Sequence, residues 1–269
     1  MKILMCGDVV GRPGREAIQK YVPLLREIWN LDLVVVNGEN AARGFGISES
    51  NCKEFYEAGV DVITTGNHIW DQKEIISYIE TDPHLLRPLN YPEKTPGQGL
   101  VVLVLPNGKK VAVINLMGRL FMDPLDDPFA ALEKILSTHK LGVNVAAILV
   151  DFHAETTSEK MAAAHMTDGR ITTLVGTHTH VPTADTVILS GGTAYQSDLG
   201  MTGDYDSVIG MKKEGPIQRF TRKFTVEKWS PAEGEATLCG LYIESDDQTG
   251  KALVVKPVRL GGILSQTEL

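Results

Sequence analysis

Leu31-Asp32-Leu33-Val34-Val35-Val36-Asn37-Gly38-Glu39-Asn40 is a β-branched run that stops on a glycine set among polar residues. Such a run suits a strand covered on both faces, as in the parallel sheets of α/β proteins. The same pattern recurs on either side. Lys2 to Cys6 runs into Gly7-Asp8, and Val60 to Thr65 runs into Gly66-Asn67-His68. Further on, Val145 to Val150 ends on Asp151-Phe152-His153-Ala154-Glu155, and Ile171 to Val175 delivers Gly176-Thr177-His178-Thr179-His180.

Between these strands the apolar period changes to that of a helix. Ala17, Ile18, Tyr21, Val22, Leu25 and Trp29 repeat at helical spacing behind Pro13, which suits a first helical position. Pro23 inside that pattern should kink or divide the helix. A second helix is expected from about Ser48 to Ala58. Asp71 with Glu74 resembles a capping box opening a helix through Ile79, and Thr156 with Glu159 another opening one through His165. Asp127-Pro128 starts a helix that runs to about His139.

Strands alternating with helices over short connections mean βαβ units and a parallel sheet. An antiparallel element joins it, because Leu100 to Leu105 and Lys110 to Leu116 flank Pro106-Asn107-Gly108, a hairpin with an Asn-Gly turn. Short strands are expected at Thr186 to Leu189 and Thr193 to Gln196, and a final antiparallel pair at Ala236 to Glu244 and Ala252 to Arg259. Asp198 to Gly215 is rich in glycine and charge without an apolar period, so it reads as a functional or mobile loop.

Composition sets the bounds. With 269 residues, 43% hydrophobic and 22% charged, the chain can bury a sizeable core, and without repeats or linkers a single domain over 1–269 is expected. A net charge of -8 argues against a protein that coats a nucleic-acid backbone, so no extended nucleic-acid surface is expected. A small anionic substrate would need local cations from arginines or metal ions. Cys6, Cys52 and Cys239 are far apart and odd in number, showing neither a disulfide framework nor a CxxC pattern. The first residues read as a strand and not as a signal peptide, and no stretch approaches membrane-spanning length. A cytoplasmic location without a membrane partner is the expectation.

Asp8, Glu39, Asn40, Asn67, His68, His153, His178 and His180 all lie just past the C-terminal ends of expected strands. In open α/β sheets that edge is where ligands bind. Taken singly, Asp8 or Glu39 would serve as a helix cap, Asn40 or Asn67 as a left-handed turn residue, and His178 with His180 as solvated loop residues. Together, carboxylate, amide and imidazole suit a borderline divalent metal such as Mn, Fe(II) or Zn. Ligands from separate loops with one bridging carboxylate suit a pair of ions about 3.5 to 4 Å apart. Asp151 and Glu155 read as supports beside the ligands, Arg12, Arg43 and Arg119 as surface or structural arginines, and His84, His139 and His165 are given no role.

These residues resemble a family. Gly7-Asp8, Gly38-Glu39-Asn40, Gly66-Asn67-His68, His153 and Gly176-x-His178-x-His180 follow the order of the motifs of calcineurin-like metallophosphoesterases. The finer likeness is to the YmdB-like branch. There the first motif lacks a histidine, as Gly7-Asp8-Val9-Val10-Gly11 does, and a Glu-Asn pair stands where other members have an aspartate, as Glu39-Asn40 does. Met117-Gly118-Arg119, Gly200-Met201-Thr202-Gly203 and Ser207-Val208-Ile209-Gly210 look like that branch too, so the resemblance spans essentially the whole chain.

The resemblance implies two packed mixed β-sheets flanked by helices, an α-β-β-α sandwich. It implies that Asp8, Asn40 and His180 hold one metal, that Asn67, His153 and His178 hold the other, and that Glu39 bridges them. His68 would bind neither ion and would face the scissile phosphate as proton donor. Val10 in place of a ligand histidine leaves the first ion richer in oxygen ligands, which favours Fe or Mn over Mg or Zn. The implied activity is a phosphodiesterase acting on 2′,3′-cyclic nucleotides, with a hydroxide shared by the two cations as nucleophile. A small phosphodiester or nucleotide is then the partner, and a homo-oligomer is compatible with it. A phosphomonoesterase, or a regulatory metal- or nucleotide-binding protein with vestigial activity, is the alternative.

Overall fold

The structure is a computed structural model that describes residues 1–224 and 228–267. One sheet has seven strands, ordered β2 (Asp8–Val9), β11 (Met201–Asp204), β12 (Ala236–Ser245), β1 (Lys2–Cys6), β3 (Leu33–Asn37) and β4 (Val62–Thr64), with β13 (Ala252–Leu260) also paired to β12. The other has six, ordered β5 (Leu100–Val104), β6 (Lys110–Met117), β7 (Ala147–His153), β8 (Thr173–Thr177), β10 (Ala194–Gln196) and β9 (Val187–Ile188). Both are mixed. β1, β3 and β4 run parallel, as do β6, β7 and β8, while β12 and β5 pair antiparallel with their neighbours.

Strand alternation explains the layers. Successive side chains point to opposite faces, and here both faces are apolar. Ile3, Met5, Leu33 and Val35 meet Val111, Val113, Ala147 and Leu149 in one buried cluster between the sheets. The alternate residues Leu4, Cys6, Val34 and Val36 pack instead with Ile18, Val22 and Leu25 of α1 (Gly11–Trp29) and with Cys52 and Phe55 of α2 (Glu49–Glu57). On the far side, Ala112, Ile114, Ile148 and Val150 pack with Leu132 and Leu136 of α4 (Pro128–Thr138) and with Ala163 and Ala164 of α5 (Thr157–Thr167). The result is the expected α-β-β-α sandwich. Cys6, Cys52 and Cys239 are buried and free, so none is joined in a disulfide.

Several local expectations are corrected. Pro23 does not divide α1, which is continuous. Pro23 and Gln19 both face solvent, so the carbonyl that the proline leaves without a donor can turn to water. Asp71 caps nothing, and α3 is only a short piece, Ile75–Tyr78, because the Asp71 carboxylate is engaged by His68. Thr156 does cap α5, yet the Glu159 carboxylate accepts from the Thr156 hydroxyl and not from its backbone N–H, and its other bonds come from the backbone N–H groups of Arg119 and Leu120. The segment Asp198 to Gly215 is not a mobile loop. It contains β11, buried throughout, which bridges β2 and β12. It also leads into α6 (Glu214–Arg222), most of which lies beyond that segment.

Candidate metal centre

β1 through β4 and β7 through β8 bring their C-terminal ends together along one edge of the sandwich. Asp8, Glu39, Asn40, His153 and His180 are buried there, and Asn67, His68 and His178 are partly so. The structure therefore brings all eight sequence-selected residues to one place. Two sets have ligand atoms within 4.8 Å of one another, Glu39 with His153 and His178, and Asp8 with Glu39 and His180. Glu39 belongs to both.

The atoms converge as donors around a point would. His153 Nε2 lies 3.0 Å from Asn67 Oδ1, 3.0 Å from His178 Nδ1 and 3.1 Å from Glu39 Oε1. One ring nitrogen cannot hydrogen-bond all three at once. Separations of about 3 Å are what ligands at roughly 2.1 Å and right angles around one cation give. Asp8 Oδ1 and Asn40 Oδ1 are buried without a hydrogen-bond partner among the described residues, a costly state for groups that could instead coordinate a cation. Gly66 completes the cradle, since a Cβ there would sit 2.3 Å from His153 Nε2 and 2.4 Å from Glu39 Oε2.

Each imidazole is tied on its outer nitrogen and leaves the other turned inward, the usual arrangement behind a metal-ligating histidine. His153 Nδ1 meets Thr177 Oγ1 at 2.9 Å, His178 Nε2 meets Glu155 Oε2 at 3.2 Å, and His180 Nδ1 donates to the Ile209 carbonyl at 2.8 Å. The backbone around the pair is unusual, with φ of 104° at His178 and 66° at His180. Beneath it, the buried Lys160 ammonium donates to Asp198 Oδ2 at 2.9 Å, and that oxygen also accepts from Thr179 N–H at 3.0 Å. Asp151, also buried, accepts from Thr64, Thr177 and Asn37.

Burial and neighbouring charge shape the ionisation. Burial pushes the Asp8 carboxyl up to about 6, against the pull of His180 and His153. Burial acts likewise on Glu39, but the charge and hydrogen bond of His153 outweigh it and bring this carboxyl down to about 2. Burial would lower His153, and Glu39 and Asp8 raise it to about 9. His178 falls to about 3 through burial and the charge of His153. The positive charge that Glu39 and Asp8 draw onto His153 stands where a cation would stand, and a bound cation would leave that imidazole neutral, as His178 already is.

His68 stands outside both sets. Its Nδ1 bonds Asp71 Oδ2 at 2.8 Å, its backbone N–H donates to Glu39 Oε2 at 3.1 Å, and the Phe45 ring packs edge-on against it. Sequence reasoning placed Asp151 and Glu155 as supports; Glu155 contacts His178 directly, whereas Asp151 reaches the ligands one step removed, through Thr177, which meets His153, and Asn37, which accepts from the Glu39 N–H. It missed Thr177, Asn37, Thr64 and the Lys160–Asp198 pair. Thr and Asn inside strands, and a lysine inside a helix, carry no signal of their own until the sheets are packed.

A two-sheet sandwich with carboxylate, amide and imidazole donors gathered at its shared strand ends defines the chain as metallophosphoesterase-like. The chain belongs to the YmdB-like protein family, whose model matches residues 4–258. It is 48% identical over 258 residues, 96% of each chain, to the 2′,3′-cyclic-nucleotide 2′-phosphodiesterase of Bacillus subtilis strain 168. A solved hypothetical protein from Thermus thermophilus superposes with a TM-score of 0.90 at 42% identity, covering 98% of this chain and 100% of that one. A solved novel phosphatase from Mycoplasma pneumoniae gives 0.90 at 36%, covering 97% and 93%.

Proposed function

We propose that this protein is a phosphodiesterase that holds two divalent metal ions and opens 2′,3′-cyclic nucleotides. The observation that carries the reading is the membership of Glu39 in both ligand sets, with unpartnered Asp8 and Asn40 oxygens beside it. Asp8, Asn40 and His180 would hold one ion, Asn67, His153 and His178 the other, and Glu39 both. When bound, the ions supply an activated water at neutral pH and offset the charge of the phosphoryl oxygens. The oxygen-rich first set favours Fe(II) or Mn(II).

The chain's own residues supply positioning and the proton. In hydrolysis, water adds to phosphorus, one of the two ring P–O bonds breaks, and the departing ribose oxygen takes a proton. His68 is placed to donate it. With Nδ1 committed to Asp71, Nε2 is the nitrogen left for the leaving oxygen. Glu39 fixes the His68 backbone and thereby couples the proton donor to the metal ligands. Likeness to the Bacillus subtilis relative supports the substrate class.

The test is reconstitution with Mn(II), metal content being measured in parallel with hydrolysis of bis-p-nitrophenyl phosphate and adenosine 2′,3′-cyclic phosphate. Turnover of both, abolished by chelator, is expected. Absence of bound transition metal together with activity indifferent to chelator would overturn the reading.

A further inference from the structure

An open cleft of about 920 Å³ lies beside the proposed catalytic centre, on the outer side of Phe45 and Asp71, the two residues that hold the His68 ring. Arg12, Arg15, Arg43 and Lys228 line it, in a chain whose net charge is -8. The two acids of its wall are engaged elsewhere, Asp71 by His68 and Glu233 by Lys212. Arg15 is spent on Glu54 and the Ala41 carbonyl, and Arg12 faces Glu16 at 3.7 Å with both side chains mostly exposed. Arg43 has no ion-pair partner among the described residues, so its guanidinium is available to an anion.

The cleft also has flat walls. Trp229 is half-buried and rests on the Met201–Met211 cluster, and Phe45 packs on the same cluster. Arg43 is joined to the catalytic edge by a tight turn. Asn40 Nδ2 donates to the Gly44 carbonyl, Gly44 N–H returns a bond to the Asn40 carbonyl, and Arg43 between them has φ 57°. The loop that offers Asn40 to the metal centre thus presents Arg43 to the cleft.

Guanidinium groups beside aromatic faces recognise a phosphate and a base. A mononucleoside 2′,3′-cyclic phosphate has only one phosphate, and that one must sit at the ions. If His68 protonates the leaving ribose oxygen, the ribose lies on the His68 side, the side on which the cleft opens beyond Phe45 and Asp71. We propose that the cleft receives the 5′-neighbouring nucleotide, Arg43 taking the connecting phosphate and Trp229 or Phe45 stacking the base. The preferred substrate is then an oligonucleotide of at least two residues that ends in a 2′,3′-cyclic phosphate. A volume near the top of the roughly 300–1,000 Å³ range for single small ligands has room for it. This inference rests on the phosphodiesterase reading above.

The test compares kcat/KM for adenylyl-adenosine 2′,3′-cyclic phosphate with that for adenosine 2′,3′-cyclic phosphate on the Mn(II)-loaded enzyme. The dinucleotide should be favoured at least tenfold, and in Arg43→Ala and Trp229→Leu the ratio should fall toward one. A ratio near one in the unsubstituted enzyme, or one that both variants preserve, overturns the proposal. If neither compound is hydrolysed, the phosphodiesterase reading fails and calorimetry with 5′-phosphorylated diadenylate decides the cleft. Affinity reduced at least tenfold by Arg43→Ala supports a nucleotide site, and unchanged affinity or no binding removes it.

Discussion

The two sheets contribute different chemistry to the same edge. The seven-stranded sheet and its connecting loops provide Asp8, Glu39, Asn40 and Asn67, all oxygen donors, whereas the six-stranded sheet provides His153, His178 and His180, all nitrogen donors. Neither half can assemble the proposed centre alone. The contacts between them change character along the sandwich. Deep between the sheets they are apolar, Ile3 and Val35 against Val113 and Leu149, while near the site they become a polar seam. Asn37 and Thr64 of the first sheet bond Asp151 of the second, and Thr65 N–H donates to Asn115. The apolar part supplies stability without direction, and the polar part fixes how the two strand ends face each other.

The sharpest way to break this division is at the residue that belongs to both ligand sets. Glu39→Ala should lose both metal ions, with turnover falling by about 10⁴-fold or more, since each ion is worth several kcal/mol of charge stabilisation. His180→Ala should lose only one. Elemental analysis of the two variants side by side decides it, and a Glu39→Ala protein that keeps two ions per chain would refute the bridging role. Next in size is His68→Ala. Loss of a proton donor should cost about 10³-fold in turnover with metal content intact. Full activity in that variant removes the assigned role.

The polar seam has its own test. Asp151→Ala leaves the Thr64 and Thr177 hydroxyls and the Asn37 amide without their buried acceptor. At about 1 kcal/mol or more for each such group, the expected loss is about 3 kcal/mol. For a chain of this size that lowers Tm by roughly 6–12 °C. Thermal unfolding of the metal-free protein isolates the seam from the ions, and an unchanged Tm would show that the seam contributes little.

What could be read from the sequence follows the same line. The strands that are apolar on both faces announce themselves, and the polar residues that end them mark the edge where ligands gather. Glu39 and His153 are visible for that reason. β11 was not, because Met201-Thr202-Gly203-Asp204 is too short to show alternation and is made a strand by its neighbours β2 and β12. The capping boxes read at Asp71 and Thr156 fared differently for a related reason. Thr156 does open its helix, but the Asp71 and Glu159 carboxylates are both drawn to partners that only the tertiary fold supplies, His68 and the Arg119–Leu120 backbone. The Lys160–Asp198 pair, spanning 38 residues, lay beyond any local pattern.

One last contrast separates the two halves. Of the proposed ligands, only His178 and His180, both beyond β8, have positive φ, and the oxygen donors of the other sheet do not. At 104°, His178 adopts a conformation that costs a non-glycine residue about 1–3 kcal/mol. Glycine would remove that cost but would add about 0.5–1 kcal/mol of lost chain entropy and forgo the contact with Glu155. His178→Gly should therefore stabilise the metal-free protein by about 1 kcal/mol, raising Tm by roughly 2–4 °C, while losing the ion shared with His153. A metal-free variant that melts at or below the unsubstituted protein would mean that the His178 backbone is held without strain. The geometry of the imidazole pair would then owe more to Lys160 and Asp198 beneath it than to any tension in the turn.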